Sequence, residues 1–125
     1  MPRTPFAAGA VQYFIGLEDG ATVKSPVTVR FGLTGMGVAP AETVLENTGH
    51  HHLLIDVPPF GSDDPEALTL SIPADDNHMH FGKGQTEVTL DLAPGTHTLQ
   101  LVLGDAGHVP HVPPVMSAPI TITVQ

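Results

Sequence analysis

The stretch Thr96-His97-Thr98-Leu99-Gln100-Leu101-Val102-Leu103 decides the class of fold. Its three leucines occupy every second position, and the polar Thr98 and Gln100 alternate with the first two of them. This period of two is typical of a β-strand with one buried face. Six further stretches read as short strands bounded by turn residues: Val11–Leu17, Val27–Leu33, His50–Val57, Leu68–Ile72, Glu87–Leu92 and Ile120–Val124. Seven short strands at this spacing predict an all-β sandwich.

The glycine and proline content supports this class of fold. The 125 residues include 13 Gly and 13 Pro, and the longest stretch free of both is Gln85–Ala93. Because a helix averages about 11–12 residues and an interior proline costs it ~3 kcal/mol, a helical bundle is excluded. We therefore predict a single antiparallel sandwich, immunoglobulin-like or cupredoxin-like, over residues 11–125. Residues 1–10 are expected to be disordered or to derive from a cloning vector.

Charge and cysteine content exclude several classes of partner. Thirteen acidic residues against four Lys and Arg give a net charge of −9, so the chain cannot neutralise nucleic-acid phosphates. No apolar run approaches the ~20 residues that cross a bilayer, which predicts no membrane insertion. The absence of cysteine excludes disulfides and thiolate ligands. The first and last predicted strands carry few charges, which is compatible with a homodimer. 

Eight histidines are the unusual feature of the composition. In an immunoglobulin-like sandwich, successive loops alternate between its two ends. Three histidine-bearing segments then meet at one end, whereas His97 falls at the other and is interpreted as a buried structural residue. The segments that meet contain His50, His51, His52, His78, His80, His108 and His111, with Met36, Met79 and Met116 at the same end.

This convergence predicts a metal site. Imidazole is a ligand for copper and zinc, and thioether sulfur selects Cu(I). The predicted ligands are His51, His52, His78, His80, His108, His111, Met36 and Met116, with Asp105, Asp76, His50 and Met79 around them as supporting residues. Histidine with methionine and no cysteine favours copper, with zinc second. Metal affinity is expected to fall as the pH drops through about 6.5, since each imidazole must be neutral to bind.

The predicted function is a copper chaperone, scavenger or buffer that handles Cu(I) or Cu(II) and exchanges it with a metal-accepting protein. Two alternatives stay open. One is an enzyme with a His-ligated copper or zinc ion and an open coordination position. The other is a metal-free adhesion or assembly module whose histidines only pack the loops. No arrangement of Ser, His and Asp typical of a hydrolase is legible, so no catalytic residue is assigned.

Three runs of the sequence resemble one family of small bacterial domains. They are residues 49–56 (GHHHLLID), residues 74–87 (ADDNHMHFGKGQTE), and residues 95–101 (GTHTLQL) continuing through His108-Val109-Pro110-His111 to residues 114–117 (PVMS). The family is known only as domain of unknown function 4399. Met1–Ala10 lacks the apolar segment of a signal peptide, so the residues alone leave open a cytosolic protein or one whose leader lies outside this sequence. The resemblance implies the second, an exported protein that is periplasmic or secreted. It implies no activity.

Overall fold

The structure of the protein is a computed structural model that describes residues 9–45 and 47–125. Most of the segment 1–10, expected to be disordered or vector-derived, lies outside the described residues. The strands are β1 (Val11–Ile15), β2 (Thr22–Val23), β3 (Val27–Thr34), β4 (Gly37–Val38), β5 (Thr48–Ile55), β6 (His78–His80), β7 (Glu87–Leu90), β8 (Gly95–Gly104) and β9 (Ile120–Val124). A 3₁₀ helix spans Pro65–Thr69. No helix within the described ranges is long and apolar enough to cross a membrane.

Two sheets face each other. The smaller sheet has the order β1-β3-β7, and the larger has the order β2-β9-β8-β5-β4, with β6 pairing with β5 as well. The first, second and fifth predicted strands therefore form one sheet, and the third, sixth and seventh form the other. This division is that of an immunoglobulin-like domain, and it confirms the prediction of an all-β sandwich.

The prediction of a fourth strand at Leu68–Ile72 is wrong. The 3₁₀ helix Pro65–Thr69 overlaps it, because Pro65 favours the first turn of a helix and Asp64 caps that turn. The Asp64 Oδ1 atom accepts a hydrogen bond of 3.2 Å from the Glu66 backbone N–H. Five alternating residues, with two polar positions between three apolar ones, are too short a strand signal to outweigh this cap.

The apolar core lies between the two sheets. Val29 and Phe31 of β3 face Leu53 of β5 and Leu101 of β8, and each of these four side chains is at most 3% exposed. The alternating leucines that predicted β8 lie on this face, and Gln100 and Val102 on the other face of the strand are buried as well.

The other face of the larger sheet is also covered. Leu54 and Val102 pack there with Ile72, which belongs to the long connection between β5 and β6, and with Met116 from the connection between β8 and β9. The outer face of this sheet is therefore a second buried layer under two loops. Alternate residues of β5 consequently enter two different environments.

Candidate metal centre

Four histidines converge on the outer face of the larger sheet. His50, His52, His80 and His108 each offer one ring nitrogen, and these four atoms lie within 4.8 Å of one another. The six distances between ring centroids range from 4.6 to 6.0 Å. These four residues are called the histidine cluster below.

Strand geometry brings three of the four side chains together. His50 and His52 are two residues apart on β5, so their side chains point to the same face of the sheet. His80 is the direct antiparallel partner of His52. Directly opposed residues share a face with their Cβ atoms about 4.5–5.5 Å apart, which places the His80 ring against the other two.

A tight loop after β8 supplies His108, the fourth member. Asp105 closes this loop: its Oδ1 atom accepts hydrogen bonds from the backbone N–H groups of Gly107 at 2.9 Å and Val109 at 3.0 Å. The His108 N–H donates to the Asp105 carbonyl at 3.0 Å, and its φ angle is +66°. Left-handed backbone at a residue other than glycine costs on the order of 1–3 kcal/mol and persists where its surroundings impose it. Here the loop imposes it and presents His108 to the sheet.

Two glycines leave room for the rings. A Cβ atom added at Gly104, which pairs with His50 across the sheet, would lie 2.8 Å from His52 Nε2. A Cβ atom added at Gly82 would lie 2.6 Å from His80 Nε2. Both distances are shorter than real Cβ contacts, so side chains larger than glycine at these positions would displace the rings.

The ring nitrogens within the cluster cannot all be satisfied by hydrogen bonds. His50 Nε2 lies 2.9 Å from His52 Nε2 and 3.1 Å from His108 Nδ1. An imidazole nitrogen carries either one proton or one lone pair, so His50 Nε2 can make one of these contacts as a full linear hydrogen bond. The Nδ1 atoms of His50 and His52 are buried and have no hydrogen-bond partner among the described residues.

A single cation would satisfy the converging nitrogens together. Four nitrogens at about 2.0–2.1 Å from a tetrahedral zinc ion lie roughly 3.3 Å from one another. The contacts of 2.9 and 3.1 Å and the upper limit of 4.8 Å bracket this spacing. The histidine cluster could therefore hold a metal ion after small ring movements.

Burial keeps the cluster in the protonation state that a metal needs. Desolvation, reinforced by the neighbouring His108 and His80, lowers the pKa of His50 from 6.5 to about 4. Desolvation and the adjacent His50 lower the pKa of His52 to about 2. The pKa of His80 is also lowered, chiefly by desolvation. These three imidazoles are neutral at pH 7, with lone pairs available for coordination.

The cluster is buried on one side and open on the other. His50 and His52 are each 1% exposed, whereas His80 is exposed and His108 is half-buried. A cavity of about 240 Å³ adjoins the open side and is lined by His52, Ser71, Ile72, Ala74, His80 and His108. An ion could therefore reach the cluster from solvent past His80 and His108.

The family model for a domain of unknown function, DUF4399, matches residues 29–125. The chain belongs to this family. The match confirms the resemblance inferred from the histidine-bearing runs, and it includes all four residues of the cluster. Among curated proteins and among solved structures, none is significantly similar to this DUF4399 chain.

The structure groups only some of the predicted ligands of this DUF4399 domain. It brings His52, His80 and His108 together and adds His50, which the sequence analysis assigned to a supporting role. The cluster lies near the end of the sheet where β5 begins and β8 ends, but on the outer face of that sheet rather than in the loops at the tip of the sandwich. His51 is excluded from it because consecutive strand residues point to opposite faces.

His51 points into the sandwich instead. Its ring lies 5.1 Å from the Phe31 ring, and its Nδ1 atom is 2.8 Å from Gln12 Nε2. Burial lowers the pKa of His51 to about 4. His51 is therefore a core residue whose side chain lies on the opposite face of the sheet from the histidine cluster.

Two more predicted histidine ligands lie outside the cluster. His78 is on the same face as His80 but two residues earlier, at the start of β6, where its Nδ1 atom lies 2.8 Å from Asp75 Oδ1. His111 is fully buried in the loop after β8, and burial lowers its pKa against a backbone hydrogen bond with Thr48.

The methionines and acidic residues have separate places. Met116 packs on Leu54 and Val102, Met79 packs against the core between the sheets, and Met36 is half-buried in the connection between β3 and β4. Of the acidic supporting residues, Asp105 holds the loop of His108, whereas Asp76 is exposed.

His50 could have been assigned to the ligands from the sequence. In His50-His51-His52 the outer two share the parity of Leu54, and the middle one shares the parity of Leu53 and Ile55. The alternation therefore identified His50 and His52 as one pair. The assumption that the site lay at the tip of the sandwich gave this parity too little weight.

Proposed function

We propose that this domain binds a divalent first-row transition-metal ion through His50, His52, His80 and His108, with Cu(II) bound most tightly and Zn(II) next. One observation carries the proposal: four ring nitrogens from three separate chain segments lie within 4.8 Å of one another and cannot all be satisfied by hydrogen bonds. All-imidazole donor sets suit copper and zinc, and affinity at such a site rises from the earlier divalent metals to Cu²⁺ and falls at Zn²⁺.

The favoured role is that of a carrier or buffer for the ion, which it would exchange with a metal-accepting protein. A net charge of −9 raises the local concentration of cations around the domain. The two open ligands, His80 and His108, could dissociate first when an acceptor competes for the ion. The four proposed donors are all imidazole nitrogens, without the thioether sulfur that selects Cu(I), so this donor set favours Cu(II).

A His-ligated enzyme is the second candidate. The cavity beside the cluster favours it, because catalytic metal sites keep a coordination position open to substrate or water. A metal-free assembly module is the third, and for that role the mutual approach of four imidazole nitrogens has no evident purpose.

The test compares two histidines on the same strand and face. His80→Ala removes a ligand, and His78→Ala is its matched control two residues away. Protein treated with a chelator and purified without a histidine tag is titrated with Cu(II) and Zn(II) by calorimetry. One equivalent of Cu(II) is expected to bind, and His80→Ala should weaken it at least about tenfold while His78→Ala leaves it within about threefold. Equal losses in the two variants, or no binding by the unsubstituted protein, would contradict the proposal.

The place of action is proposed on the family resemblance alone. We propose that the domain works in the periplasm or outside the cell, as the likeness to exported members of the family implies. Fractionation of the source cells followed by immunoblotting is expected to find the natural protein in the periplasm or the medium. Its recovery in the cytosol would contradict this location.

A further inference from the structure

The cavity beside the histidine cluster is lined by three of its four members. These are His52, His80 and His108, and the buried His50 is not among the lining residues. An ion held by all four rings would therefore border this cavity. Copper(II) prefers square-planar or tetragonal surroundings, which leave positions beyond four equatorial nitrogens.

The far wall of the cavity is fixed to the loop that carries His108. The Ile72 backbone N–H donates to the His108 carbonyl at 2.7 Å, and Ser71 Oγ donates to the Gly107 carbonyl at 3.2 Å. Ile72 is itself buried, packed with Leu54 and Val102. The cavity is thus preformed between the cluster and a tethered segment of chain.

The lining selects a class of ligand. Apart from the imidazoles, the cavity is walled by Ser71, Ile72 and Ala74, so no carboxylate repels an anion and no ammonium or guanidinium group binds one independently of the metal. Neutral imidazoles leave the whole charge of the ion uncompensated by the ligands themselves. The volume of about 240 Å³ has room for a ligand of a few atoms.

From this arrangement we infer that the metal centre keeps an open coordination position that faces the cavity and takes a small monodentate anion. The inference rests on the proposed metal binding and deepens it, because it adds an exogenous ligand to the four imidazoles. It involves coordination alone: the anion donates a lone pair to the metal, displacing a water molecule or filling a vacant position.

Azide is the probe that tests the open position. The copper-loaded protein is titrated with sodium azide, and coordination is followed by the azide-to-copper charge-transfer absorption and by the electron paramagnetic resonance spectrum. Saturable changes in both are expected, with copper retained after dialysis. Ala74→Leu should fill part of the cavity and weaken azide binding at least about tenfold while leaving copper affinity within about threefold. Ala118→Leu, at an exposed alanine outside the cavity, is the matched control and should leave both affinities unchanged.

The outcomes separate this inference from the proposed function. Copper binding without any spectral response to azide would overturn the open position and leave metal binding intact. Azide binding that is equal in Ala74→Leu and in the unsubstituted protein would place the anion away from the cavity and overturn the inference. Failure to bind copper at all would overturn both. Loss of copper on addition of azide would show that the anion competes with the imidazoles instead of joining them.

Discussion

Acidification should destabilise the metal-free fold through the three consecutive histidines of β5. His50, His51 and His52 are each at most 1% exposed, and burial lowers their pKa values from 6.5 to about 4, 4 and 2. Because the pKa values are lower in the folded state, the unfolded chain binds more protons once the pH falls below 6.5. The stability that these groups confer is therefore complete above that pH and is lost as the pH falls towards 4.

The size of this effect follows from the linkage relation. Lowering the pH from 7 to 5 protonates each histidine in the unfolded chain but scarcely in the folded one, which costs about 2 kcal/mol per group, or roughly 6 kcal/mol for the three. This approaches the whole stability of a small domain, on the order of 5–15 kcal/mol. The apoprotein should therefore be near its unfolding transition at pH 5.

Urea denaturation at a series of pH values measures the effect. The protein is first stripped with a chelator, and the free energy of unfolding is obtained by linear extrapolation at each pH. His51→Leu replaces the buried imidazole by an apolar side chain of similar size that cannot titrate. It should therefore remove about a third of the pH dependence of the unfolding free energy. A free energy of unfolding that is equal at pH 7 and pH 5 would refute the assignment of these three rings as buried and neutral.

Three further predictions concern single residues. Gly104→Ala should push His52 aside and weaken metal binding, measured by calorimetry, at least about tenfold. Gly107→Ala is the control and should leave metal binding unchanged, because its Cβ atom would lie 3.6 Å from its nearest neighbour. Equal effects of the two substitutions would contradict the steric argument. Asp105→Ala removes the acceptor of two backbone N–H groups, so it should lower the urea-derived free energy of unfolding by about 1–3 kcal/mol and weaken metal binding. Unchanged metal affinity would show that this loop does not position His108, the fourth ligand. His97→Gln should destabilise the fold more at pH 6 than at pH 9. Hydrogen bonds to the Ala93 carbonyl and Asp56 raise the pKa of His97, and the stability that they give is lost as the pH rises through this raised pKa. An equal loss of unfolding free energy at both pH values would contradict this role of His97.

Local patterns were sufficient to predict most of the fold. The alternation in Thr96–Leu103 is satisfied in β8 because one face of that strand lies in the core between the sheets. The same kind of pattern identified β3 and β9. Leu68–Ile72 failed because its neighbours Asp64 and Pro65 favour a capped 3₁₀ turn, a local signal that competes with a short strand.

The site was harder to predict because it depends on pairing between distant segments. The approach of His80 to His52 is set by the register of β6 on β5, which no local pattern specifies. The approach of His108 depends on a left-handed residue inside a loop closed by Asp105. Met116 resembled a soft ligand in the sequence, but the outer face of the larger sheet needs an apolar cover, and Met116 supplies part of it.

The most direct test of the metal centre is X-ray absorption spectroscopy of the copper-loaded protein, because multiple scattering from imidazole rings counts the histidine ligands. Four imidazole nitrogens and no sulfur are expected in the coordination shell of one copper ion. Two or fewer imidazoles, or a sulfur ligand from methionine, would contradict it.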